Sequence, residues 1–159
     1  MPFHYKLQKI LEIRIRKKEE QLQEVIKAQE EVNRIEFLII KNREEIDSLS
    51  KQMRTADPMM YDQYDKFIKH LWEEDEKLQQ QKLEAIENLN KEKELLKLRE
   101  QEVNVLDKHK EHKKEEYIQE EKARELKELN EIGSQKHFLK QVSQKEEQEF
   151  LEKISRKES

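Results

Sequence analysis

No cysteine occurs anywhere in the sequence, so disulfide bonds and thiolate catalysis are excluded. A reducing compartment is permitted by this, though not required. A single glycine, Gly133, argues against sheets joined by tight turns and against a phosphate-cradling loop. Hydrophobic residues make up only 33% of the 159 positions, too few for a thick globular core. The greasiest run, Ile35 to Ile40, is far shorter than the ~20 residues needed to span a bilayer. The opening residues carry no apolar core of signal-peptide type, so no secretory signal is expected. An excess of one charge sign is also missing. The 33 basic and 37 acidic residues are interleaved, which argues against nucleic acid as the main ligand.

What remains is charge, at 44% of residues, in a background of Glu, Lys, Gln and Leu. That composition belongs to long helices and coiled coils. Pro58 is the only proline after position 2. It cannot sit inside a helix but fits the first position of a new one, and Asp57 can cap that helix. The expected organisation is one all-α coiled-coil domain. A helix from about 5 to 56 is followed by a turn at about 57–58 and a longer helix from about 59 to 154. Gly133 costs ~1 kcal/mol against alanine in a helix interior, so a break or a kink there are both open.

The first arm has a seam at Val25, Ala28, Val32, Ile35, Ile39, Asn42, Ile46, Leu49, Met53 and Ala56. Its steps of three and four define an a/d repeat, in which Asn42 is the polar exception that fixes register. N-terminal to it the pattern is looser, with Lys17 and Lys18 interrupting a stripe at Leu7, Ile10 and Leu11. The second arm follows one frame through Tyr61, Tyr64, Ile68, Leu71 and Leu78. The frame weakens at Asp75 and Lys82 and resumes at Ala85, Leu89, Leu96, Val103 and Leu106. Short stripes follow at Leu126, Leu129 and Ile132, then from Phe138 to Ile154. Folding the arms antiparallel about Pro58 would bring Phe3 opposite roughly His112. It would pair ~80 Å of helix and leave ~60 Å overhanging after about Lys113.

Little of this resembles catalytic chemistry. His109 and His112 lie near one helix face, but no third and fourth metal ligands accompany them, and a solvated face is the better reading. Acidic pairs such as Glu115 and Glu116 are adjacent on a helix and do not face each other. No enzyme activity, cofactor or metal is expected. The aromatic cluster of Tyr61, Tyr64, Phe67 and Trp72 falls near the turn, where two helices cannot bury four rings. It reads as a protein-binding patch, against the alternative of packing on Ile46, Leu49 and Met53.

Three segments in order resemble the family of the flagellar export protein FliJ and its injectisome relatives. They are Phe3-His-Tyr-Lys-Leu-Gln-Lys-Ile-Leu-Glu-Ile-Arg14, Tyr64-Asp-Lys-Phe-Ile-Lys-His-Leu71, and Glu121-Lys-Ala-Arg-Glu-Leu-Lys-Glu-Leu-Asn-Glu-Ile132. In the last, Asn130 and Gly133 depart from the family's usual Asp and Ala. The resemblance implies an antiparallel coiled-coil hairpin like the rotary ATPase γ subunit, with its longer C-terminal helix overhanging. It implies a cytoplasmic stalk or linker of the flagellar type III export apparatus. The implied partners are a hexameric FliI-like export ATPase, an FlhA-like export gate at the inner membrane, and export chaperones. By the same resemblance Leu7, Leu11, Arg14, Arg124, Glu125, Lys127, Glu128 and Glu131 are candidates for the ATPase contact. Phe67, Leu71 and Leu78 are candidates for the gate contact. The alternative from a different class is a self-associating structural scaffold.

Overall fold

A computed structural model describes residues 2–158. Helix α1 runs Gln8–Thr55, a short 3-10 turn follows at Pro58–Met60, and helix α2 runs Tyr61–Glu158. No strand occurs among the described residues. The corner is built by local chemistry. Asp57, restricted by the following proline, is extended at φ −59° and ψ 134°. Its carboxylate accepts the Met59 backbone N–H at 3.2 Å, and Pro58 occupies the first position, where no donor is needed. Gly133 lies inside α2, which passes through it without interruption.

The chain divides into two units, Lys6–Asp107 and Met1–Tyr5 with Lys108–Ser159. The first unit is an antiparallel helical hairpin. Its α1 seam holds Ala28, Val32, Ile35, Ile39 and Ile46 buried, with Val25, Asn42, Leu49, Met53 and Ala56 half-buried. The same frame continues N-terminally through Gln21, Lys18, Arg14, Leu11 and Leu7, all buried or half-buried. The stripe that lysines break in the sequence is therefore one seam. Leu11 is 2% exposed and packs with Val103 and Leu106, flanked by Leu7 and Ile15. A second cluster joins Ala28 and Val32 to Leu89.

On α2 the frame is likewise unbroken from Tyr64 to Leu106, because Asp75, Lys82 and Glu92 find partners across the seam. Asp75, 5% exposed, receives Arg43. Lys82 reaches Glu36 at 3.6 Å. Gln21 donates to the Glu92 carbonyl at 3.0 Å and also to its carboxylate. Asn42 donates to the Leu71 carbonyl at 2.8 Å, and Arg14 donates to the Glu102 carbonyl at 3.2 Å. No described buried side-chain nitrogen or oxygen lacks a partner. Such bonds are short-reach and directional, so they fix the register that a uniform apolar stripe would leave free to slip.

In the second unit, Phe3 packs on Tyr117 with ring centroids 5.6 Å apart. Tyr5 lies on His109 and shares a hydrogen bond of 2.6 Å with its Nδ1. Phe3 thus meets Tyr117 rather than a residue near His112. The cause is the later helix start at Gln8. Residues without helical pitch cover about 3.3 Å each rather than 1.5 Å, so the segment reaches further along α2. From Lys122 to the last described residue only Val142 is less than exposed.

Candidate functional site

The surface near the 3-10 turn groups several exposed apolar side chains. Met59 is 87% exposed, and Met60, Tyr61, Phe67 and Trp72 are also exposed. Tyr64 is half-buried and joins Leu49, Met60, Gln63 and Phe67 in a shallow cleft of about 240 Å³. Two helices supply too little opposing surface to bury these rings. Aromatic and methionine side chains grouped at an exposed cleft are typical of protein-binding surfaces.

The gate candidates separate by burial. Phe67 is 48% exposed and forms one wall of the cleft. Leu71 is 7% exposed, within the seam, and its carbonyl is taken by Asn42. Leu78 is half-buried and lines an open groove of about 680 Å³ with Leu38, Asn42, Glu45 and Glu74. By heptad position Leu38 and Glu45 of α1 and Phe67 and Glu74 of α2 flank the same side of the seam. Phe67 and Leu78 can therefore be touched from one side, while Leu71 is packed inside the seam.

The ATPase candidates fall in different units. Leu7, Leu11 and Arg14 belong to the hairpin unit, where Leu11 is core and Arg14 is tied to Glu102. Arg124, Glu125, Lys127, Glu128 and Glu131 belong to the other unit, all exposed. Arg124 pairs with Glu121 one turn earlier, and this hydrogen bond raises its already high pKa further. The guanidinium is therefore charged at every accessible pH.

The histidines are occupied in other ways. His109 bonds Tyr5, and His112 pairs with Glu116 at 2.9 Å. Lys113 also bonds Glu116 and, ahead of His112, keeps its carboxyl below the ordinary range. No cluster of three or more groups able to hold a metal occurs among the described residues. No described helix is long and apolar enough to cross a membrane.

The interhelical polar pairs escaped the sequence reading, although a signal for them exists. Glu36 and Lys82 stand nearly equally far along the chain from Pro58, as do Arg43 and Asp75. Reflecting charged residues through the proline picks out such pairs.

Among known proteins, the model of a family described as flagellar FliJ protein matches residues 3–141. No curated protein and no solved structure matches the chain.

Proposed function

Because the chain belongs to the flagellar FliJ protein family, and so is a component of flagellar protein export, we propose that it works there as a non-enzymatic stalk and linker. It binds a hexameric export ATPase with the elements that carry the chain termini. It binds the export gate through the aromatic surface beside the turn, and it escorts export chaperones. It works in the cytoplasm, against the inner-membrane export apparatus.

The observation that carries this reading is the family match over residues 3–141. The hairpin supports it physically. A stalk must transmit force or orientation without slipping, and the Gln21, Asn42 and Asp75 bonds pin the two helices in one register. The exposed, charged helix around Arg124 to Glu131 suits a wet contact of modest strength. Any effect on ATP turnover then comes from favouring one ring conformation over another.

Pull-down against the export ATPase and the gate protein tests it with two variants. Arg124→Glu is expected to lose the ATPase only, and Phe67→Ala the gate only. Retention of both partners by both variants contradicts the assignment of these surfaces.

A further inference from the structure

The helix from Leu126 to Ile154 carries an apolar row that nothing in the function above uses. Leu126, Leu129, Ile132, Leu139, Phe150 and Ile154 are each at least 40% exposed. Leu129, Ile132, Lys136, Leu139, Ser143, Glu146, Phe150 and Lys153 follow one alternation of three and four residues. That is an a/d seam lacking its second helix.

We propose that this seam pairs with the same segment of a second copy of the chain, in antiparallel orientation. The polar members of the row decide both partner and direction. A parallel pair would set Lys136 on Lys136, Glu146 on Glu146 and Lys153 on Lys153, three like-charge layers in one short seam. An antiparallel pair with Leu139 opposite Ser143 sets Ile132 opposite Phe150 and Lys136 opposite Glu146. Each of these layers occurs twice by the two-fold symmetry. Leu129 then faces Lys153, whose methylene stem covers it while the ammonium reaches water. At the flanks, Val142 meets its own copy on the two-fold axis and Leu126 meets Ile154. One flanking contact is adverse, Lys140 against its copy, at the more exposed edge. Phe138 and Leu151 lie outside the frame and take no part.

The row is self-complementary in charge in one direction only. A partner of unrelated sequence would have no reason to match it in that way. The row overlaps the Arg124 to Glu131 stretch assigned to the ATPase, so the paired chain and the ATPase-bound chain exclude each other.

The absence of native cysteine makes the test direct. In the full chain, Val142→Cys is expected to form a disulfide-linked dimer on mild oxidation, because the two thiols face each other across the axis. Ile132→Cys is expected to stay uncrosslinked, since it faces Phe150. Sedimentation of the unmodified chain should show mass rising toward the dimer with concentration. Lys136→Glu should weaken it by about tenfold or more, as should Glu146→Lys, and the two together should restore it. Crosslinking through Ile132→Cys but not Val142→Cys would overturn the antiparallel pairing. Equal crosslinking of both would show collision without register. A monomer at every concentration with neither variant crosslinked would overturn the proposal outright.

Discussion

Arg43 and Asp75 form a two-pronged fork across the hairpin seam, with Nε to Oδ1 at 3.0 Å and Nη2 to Oδ2 at 3.4 Å. The aspartate is almost wholly buried, while the arginine keeps half its surface in water. The guanidinium thus brings a charge to the seam without full desolvation of its own. Asp75 in return raises the Arg43 pKa, first by hydrogen bonding and then by charge. The fork fixes which turn of α1 lies beside which turn of α2.

Removing one prong alone should therefore cost more than removing both. Arg43→Ala leaves a buried carboxylate without its partner and should destabilise the hairpin by about 1–3 kcal/mol in urea titration followed by circular dichroism. The pair Arg43→Met with Asp75→Leu should be near neutral or stabilising, because apolar replacement removes the desolvation cost as well. Equal losses for the single and double variants would contradict the extra cost of leaving the Asp75 carboxylate buried without its partner.

Much of the fold was legible in the sequence because it follows from one periodicity and one proline. The seam from Val25 to Ala56 was visible as apolar side chains, and Pro58 placed the corner. The extension of that seam to Leu7, and its continuity through Asp75 and Lys82, was not visible. Arg14, Lys18, Gln21, Asp75 and Lys82 are polar, and a polar residue reads as an interruption until its place against the other helix is known. The same holds for the candidate site. Phe67 could be assigned to the surface from its position off the seam. Leu71 could not be told from it by motif, since both lie in the segment that carried the resemblance. Only the packing separates them.

That separation predicts different failures. Phe67→Ala removes an exposed ring and should leave thermal stability nearly unchanged while weakening binding at the aromatic cleft. Leu71→Ala should lower stability by about 2–3 kcal/mol, the low end for a core leucine because a two-helix seam can partly collapse. Melting curves alongside gate-protein binding distinguish the two. A large stability loss in Phe67→Ala would place that ring in the core instead.

A comparable contrast tests the open end of the hairpin. Leu11 is 2% exposed and Ile13, on the same turn, is 49% exposed. Leu11→Ala should cost about 2–4 kcal/mol, whereas Ile13→Ala should stay within roughly 0.5 kcal/mol. Equal effects in denaturant titration would contradict the continuous seam at Leu7 to Gln21.

Acid should loosen the helices in a defined direction. Glu31 is held below its ordinary 4.5 chiefly by the Arg34 hydrogen bond, and Glu116 chiefly by Lys113. A carboxyl with a lowered folded pKa adds stability above its unfolded pKa, and that contribution disappears as pH falls through the folded value. Helicity and melting temperature should therefore decline below about pH 4.5 and hold steady just above it. Glu31→Gln with Glu116→Gln should flatten that decline, read by circular dichroism across the titration. An unchanged slope in the double variant would show that other carboxylates carry the acid response.

The most direct measurement of the stalk role is ATP turnover by the flagellar export ATPase with and without this chain, at equal ATPase concentration. Binding to the ring and a rise in turnover, lost in Arg124→Glu and kept in Phe67→Ala, is the expected result. No binding and no change in turnover would contradict it.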